Sequence, residues 1–245
     1  MSRPSASTAP SRPSDSAAAS RPSASAALRT KLALTTPLLR AATTALWQPD
    51  SLRPRYLNYL AAMHGLIQAS VPLLELAAEW CDRQPPGDPL AAPLARYFRL
   101  HAEQERGHDD WLLADLAAAG AEAPSALPPV VVAELSGAQY YWIRHHHPVV
   151  LLGYIAALEG NAPAPWLADR LAEHTGLPPA AFRTLRDHAA LDTGHLADLE
   201  NLLDELPLTA AQQTAVAVSA LHTVDGITRL FRQLADTSEH PGAPG

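Results

Sequence analysis

The sequence predicts an all-α domain of seven or eight helices, on three observations. From Leu28 onward, apolar residues recur at spacings of three and four, the period of a helix that buries one face. No alternation of apolar and polar residues persists with the period of two that a half-buried strand needs. Proline, glycine and capping residues fall at intervals that start and stop helices.

The elements follow in order. Met1 to Ala27 is a Ser/Ala/Pro/Arg stretch in which Ser-Arg-Pro-Ser occurs at Ser2, Ser11 and Ser20. It has almost no large apolar side chains to offset the entropy of ordering, so residues 1–27 are expected to be a disordered tail. Residues 28–237 are expected to form one helical domain, and 238–245 a loose end. Leu38, Leu39, Ala42 and Leu46 mark a short helix. Asp50 is placed to cap the next, from about Leu52 to Cys81, with a kink or break near Ala69 imposed by Pro72. Asp88-Pro89 supplies a cap and a first-turn proline for a helix that ends near Gly120. Pro128-Pro129 opens a helix through Val130, Leu135 and Ile143, and His147-Pro148 restarts the chain into Val149–Glu159. Trp166 to His174 is a short helix closed by Gly176. Pro178-Pro179 opens a long one from Phe182 to Leu206, and Thr209 with Gln212 forms a capping box for the last, which ends near Ala235.

Composition narrows the function. A hydrophobic content of 47% can fill a core, and a net charge of −7 argues against a general nucleic-acid binder. The single cysteine, Cys81, excludes an internal disulfide and a thiolate cluster, and fits a reducing cytoplasm. No apolar run approaches the ~20 residues of a membrane helix. Neither a G-x-G-x-x-G nor a G-x-x-x-x-G-K motif is present, so nucleotide-fold chemistry has no support.

The chemistry concentrates on a few spacings. His188, Asp192 and His195 stand at i, i+4 and i+7, which places all three on one helical face beside an apolar seam. Two imidazoles and a carboxylate suit a borderline divalent ion such as iron, manganese or zinc. His101, Glu105 and His108 repeat the spacing, and Glu105-x-x-His108 is the unit that carboxylate-bridged di-metal bundles project inward. Either triad alone could be a solvated face, and His101 could hydrogen-bond to a ligand instead of binding metal. Glu159 closes the nearly all-apolar run Val149–Glu159, where an ionised carboxylate is costly unless paired or metal-bound. Gly153 in that run would let a neighbouring helix or a substrate approach. On the long early helix His64, Gln68 and Glu75 are roughly aligned, and one of them could complete the site. His145, His146 and His147 splay around a helix end; Tyr140, Tyr141 and Trp142 read as core and pocket wall.

These residues together resemble a known family, the haem-oxygenase-like diiron oxidases, often called iron-containing redox enzymes. The similarity runs from about Arg55 to Thr223. It rests on Met63-His64 through Leu74, Glu105-Arg-Gly-His108-Asp-Asp-Trp-Leu-Leu, Gln139-Tyr-Tyr-Trp142, His147-Pro148 to Gly153-Tyr154, Leu158-Glu159-Gly160 and His188-x3-Asp192-x2-His195. The resemblance implies a helical bundle related to haem oxygenase and to thiaminase-II-like proteins. It implies two Fe(II) ions held by Glu105, His108, Glu159, His188, Asp192 and His195. The family adds a carboxylate from the early helix; Ala61 and Ala62 occupy those positions here, and His64, Glu75 or His101 would substitute. The implied activity is O2-dependent oxidation of a small molecule, by N-oxygenation, oxidative decarboxylation or C–C cleavage. Amino- or fatty-acid-like substrates, natural-product pathways and an external reductant come with it, and a homodimer is compatible with it. Rival readings are a single-iron or cofactorless redox enzyme of the same fold, and a non-catalytic metal-binding protein.

Overall fold

The computed structural model describes residues 22–125 and 127–236, with the side chains of Asp192 and Thr193 outside the described set. Most of both expected tails, residues 1–21 and 237–245, therefore lies outside the described residues. The described chain is all-helical, with eleven α-helices and two short 3-10 turns. The excess over seven or eight has three sources.

The first is α1 (Ala24–Ala33), which begins inside the stretch expected to be disordered. Ser23 caps it, and Asp204 accepts hydrogen bonds from the Ser25 backbone N–H and hydroxyl, each at 2.8 Å. Arg29 adds an ion pair with Glu200. Small polar residues thus dock this helix through specific acceptors that composition does not reveal. The short helix after it is α2 (Thr36–Leu46).

The second is the break at Gln68-Ala69, which divides the long early helix into α3 (Leu52–Ile67) and α4 (Ser70–Asp82). Pro72 falls in the first turn of α4, where an N–H has no intrahelical acceptor to lose. Asp50 does not cap α3. Ser51 occupies that place with φ 52°, and the Asp50 carbonyl accepts from Arg55 instead. By length and mean hydropathy alone (1.3), Leu52–Asp82 could cross a membrane, contrary to the expectation that no run would. Here it is two helices with a buried arginine, Arg55, between Leu52 and Tyr56.

The third is a break at Arg106-Gly107. What reads as one helix is α5 (Ala91–Glu105) followed by α6 (His108–Ala118), because Arg106 is extended and Gly107 is left-handed, φ 86°. Beyond it come α7 (Val130–His145), α8 (Leu151–Glu159), α9 (Leu167–Thr175), α10 (Arg183–Glu205) and α11 (Ala210–Asp236). Gly176 ends α9 with φ 67°, and the Thr209–Gln212 capping box opens α11.

The helices pack in pairs, α4 on α5, α8 and α2 on α11, and α3 on α6. The pair α8–α11 is close because Gly153 faces it. A Cβ there would stand 2.1 Å from the Val216 carbonyl oxygen. The approaching partner is therefore a helix. Tyr56 locks the centre by donating to the Ala181 carbonyl (2.7 Å) and stacking on Phe182.

Candidate metal centre

Six side chains from four helices converge inside this bundle. α5 contributes His101 and Glu105, α6 His108, α8 Glu159, and α10 His188 and His195. They fall into two groups, His101–Glu159–His195 and Glu105–His108–His188, each with potential ligand atoms within 4.8 Å of one another. Glu159 Oε1 lies 3.0 Å from His101 Nε2 and 3.5 Å from His195 Nδ1. Glu105 stands between the groups, 3.5 Å from His108 Nδ1 and 3.7 Å from His195 Nδ1.

Local structure explains the placement. His101 and Glu105 share a face at i, i+4 on α5. His108 does not extend that face as a helical i+7 position. Gly107 turns the chain, and His108 begins a new helix whose first residue looks back at Glu105. The Arg106 side chain is held outside by Glu75 and Glu103. On α10, the buried carboxylate of Asp115 accepts the backbone N–H groups of Arg183 and Thr184, at 3.2 and 3.0 Å. Two of the orphan donors at the start of the helix that carries His188 and His195 are thereby satisfied. His188 is oriented by its Nδ1, which donates to the Thr184 carbonyl (3.0 Å) and leaves Nε2 for the site.

The electrostatics are those of a cation site. Burial pushes the Glu105 carboxyl up, but the His108, His101 and His188 imidazoles outweigh it and hold the carboxyl below its usual range, so it is ionised. Burial holds the His188 imidazole below its usual range, hence neutral and able to offer a lone pair. Two buried atoms at the centre have no hydrogen-bond partner, Glu159 Oε2 and His108 Nδ1. An unmet carboxylate oxygen in an apolar bundle is expensive, and a cation between the groups would satisfy both atoms.

A family model described as iron-containing redox enzyme matches residues 100–226, more than half of the chain and the stretch that holds all six side chains. The chain belongs to that family. Two solved structures share its architecture. One is a domain of unknown function with a haem-oxygenase-like fold from Shewanella denitrificans, at 16% identity and TM-score 0.71, covering 86% of this chain and 91% of that one. The other is a TenA homologue from Pseudomonas syringae pv. tomato, at 12% identity and TM-score 0.62, covering 87% and 95%. At these identities they establish the fold alone, haem-oxygenase-like and TenA-like. No curated protein matches the sequence.

In this member of the iron-containing redox enzymes, His101 joins the centre although the spacing left it open as a hydrogen-bonding residue. His64 and Glu75, the other candidates for completing the site, belong to neither group; Glu75 is exposed and paired with Arg106. Asp192 lies on α10 between His188 and His195, but its side chain is outside the described residues. His147 is a brace, accepting the Val149 N–H at Nδ1 and meeting Asp88 at 3.0 Å through Nε2. Tyr141 is 54% exposed rather than core. Sequence reasoning passed over three aromatic neighbours of the centre. Tyr97 stacks on His101 at 5.5 Å, Trp111 packs on His108 at 4.0 Å, and Tyr154 stands near Glu105. The signal for the first two was present, since Tyr97 precedes His101 by four residues and Trp111 follows His108 by three.

A cavity of about 730 Å³ adjoins the centre, with His101, Glu105, Glu159 and His188 in its wall. That is the size of a small-molecule site. Most of the remaining wall is apolar, from Tyr59, Leu60, Met63, Ile67 and Phe231.

Proposed function

We propose that this chain is a non-haem diiron oxidase that uses O2 to oxidise a small molecule held in the adjoining cavity. The observation that carries the proposal is the pair of three-ligand groups, joined through Glu105, with Glu159 Oε2 left without a hydrogen-bond partner between them. His101, Glu159 and His195 would hold one ion, and Glu105, His108 and His188 the other. Asp192 is assigned to the same centre by its spacing alone. Iron(II) bound there supplies electrons and open coordination positions for the reduction of O2, with further electrons from an external reductant. The chain's own contribution is positional. Glu105 and Glu159 offset the charge of two cations at close range. The four imidazoles, of His101, His108, His188 and His195, complete the shells, and the apolar wall keeps water from the reacting groups. Single-iron chemistry on the same residues is the second reading, favoured by the exposure of Glu75, which leaves the early helices without a carboxylate at the centre. A cytoplasmic location is assigned on the lone buried thiol, Cys81.

Anaerobic titration with Fe(II), followed by metal analysis, tests this reading. Two equivalents are expected for the natural chain. His195→Ala and Glu105→Ala are each expected to abolish tight binding with helical circular dichroism retained. Two equivalents retained by both variants would refute the assignment, and one equivalent in the natural chain would favour the single-iron reading.

A further inference from the structure

Aromatic side chains from four elements line the cavity: Trp47 at the end of α2, Tyr59 on α3, Trp166 at the start of α9 and Phe231 on α11. Three of them form one corner. Trp47 meets Tyr59 edge-on, with ring centroids 5.0 Å apart and planes at 71°. Phe231 stands 6.1 Å from Tyr59, tilted by 55°. The corner is braced from the core. Phe182 stacks on Tyr56 at 4.7 Å, and Tyr56 lies nearly parallel to Tyr59, at 19° and 6.3 Å. Tyr56 is wholly buried, takes no part in the cavity lining, and is fixed by its hydrogen bond to the Ala181 carbonyl. The row Phe182–Tyr56–Tyr59 therefore starts in the core and ends at the cavity. Trp166 is a second, independent sign. It borders the same cavity, is 59% exposed, and has the Arg170 guanidinium over its ring at 5.8 Å. A large apolar side chain left in water beside an apolar cavity is the informative exception among surface residues, and a bound ring would cover it.

We infer that the cavity binds a molecule that carries a planar aromatic ring, seated against Trp47, Tyr59 and Phe231. This inference rests on the proposed function for the oxidation that follows, but not for the seating of the ring. A fatty acid or an aliphatic amino acid carries no such group. An aromatic ring has a negative face and a positive edge, so beside other rings it gains more than the area it buries, whereas a saturated group of the same size gains the area alone. The three planes of the corner differ in tilt, so one ring can stack on one of them and meet another edge to face. Met63 and Ile67, also in the wall, accept any apolar group and do not discriminate. The row behind Tyr59 holds it in place before the ligand arrives, which lowers the cost of ordering the site.

Calorimetric titration of the full chain with phenylpropanol and cyclohexylpropanol compares a planar ring with a saturated one on the same neutral arm. The saturated ring has the larger apolar area, so area alone favours it. The phenyl compound is nevertheless expected to bind about threefold more tightly, the effect of an aromatic pair beyond its area. The same order is expected of the metal-free chain and of the chain loaded anaerobically with Fe(II). Phe231→Leu and Trp47→Leu, at partly buried positions, are each expected to bring the two ligands to equal binding with helical circular dichroism retained. Tyr59→Leu, at the centre of the corner, is expected to reverse the order. Equal or tighter binding of the cyclohexyl compound by the natural chain, binding of neither, or an undiminished phenyl preference in Phe231→Leu and Trp47→Leu would each overturn the inference. Position is read by nuclear Overhauser contacts from the phenyl protons, expected to the rings of Tyr59 and Phe231. Contacts confined to residues outside the cavity would overturn it. A chain that prefers the phenyl compound and takes up no iron would refute the diiron reading and keep the ring site.

Discussion

Glu159 Oε2 has no partner in an apolar bundle, and the nearest donors on its own group are already engaged with Oε1. Folding tolerates such an atom only where something else stabilises it, and the cation of the proposed centre would do so. Tyr154 presents a related case. It belongs to the cavity lining, but its hydroxyl is buried beside Ser136 without hydrogen-bond geometry, and burial together with Glu105 pushes its phenol far above the usual range. It therefore keeps its proton at any working pH, and a ligand in the adjoining cavity is the partner we expect for that donor. Tyr154→Phe removes a buried hydroxyl that gains nothing in the folded chain, so thermal stability should hold or rise by up to about 1 kcal/mol. Iron uptake should be unchanged, and O2-dependent turnover should fall about fivefold, the worth of one hydrogen bond to the reacting substrate. Calorimetric melting and oxygen consumption measure the two sides. A loss of stability without a loss of turnover would make Tyr154 a packing residue.

Among the elements, the break between α5 and α6 decides how the centre is assembled. The motif Glu105-Arg-Gly-His108 has the spacing of a helical face, and the periodicity on either side of it is helical. Only the left-handed backbone at Gly107, φ 86°, separates the two helices, and no local signal stronger than the glycine itself announced it. A glycine inside a helical pattern reads as a tolerated weakness or as a stop, and tertiary packing chose the stop. Gly107→Ala tests the choice cleanly, because a Cβ at this position would meet nothing within 4 Å. The cost is then backbone strain alone, about 1–2 kcal/mol. If the chain relieves that strain by extending α5 through the break, His108 rotates away from Glu105 and iron affinity falls by more than the stability does. Melting temperature and anaerobic Fe(II) titration, compared on one preparation, check this. Elsewhere the element ends were legible, because capping chemistry is local. Gly176, the Thr209–Gln212 box and the proline pairs act on residues a few positions away. The start of α1 was not, because its partners, Asp204 and Glu200, lie more than 170 positions along the chain.

For the whole molecule, the closeness of α8 and α11 sets where Glu159 stands relative to α5 and α10. Gly153 makes that closeness, since an added Cβ would lie 2.1 Å from the Val216 carbonyl oxygen and 2.8 Å from the Ala220 nitrogen. Backbone cannot step aside as a side chain can, so Gly153→Ala should push the helices apart and cost about 3 kcal/mol or more. That corresponds to a drop in melting temperature of about 6–12 °C in a chain of this size. Gly137 on α7 is the control. A Cβ there meets nothing within 4 Å, and alanine should stabilise by about 0.5–1 kcal/mol. Equal effects of the two substitutions on thermal melting would mean that the α8–α11 contact is looser than described.

By itself the sequence determined the all-α class, nearly all helix starts and stops, and five of the six converging side chains together with His101 as a candidate. The class, the helix ends and the pairing of His188 with His195 are written in local spacing, whereas Glu159 stood out by the apolar run it closes and the full ligand set came with the family resemblance. Only the tertiary structure decided that His101 joins the centre, that Glu75 leaves it for Arg106, that Glu105 stands between two groups, and that Trp47, Tyr59 and Phe231 meet at a cavity. These depend on the relative rotation and distance of helices far apart in the chain. Those are set by packing contacts such as Gly153 against Val216, and no period within one segment encodes them.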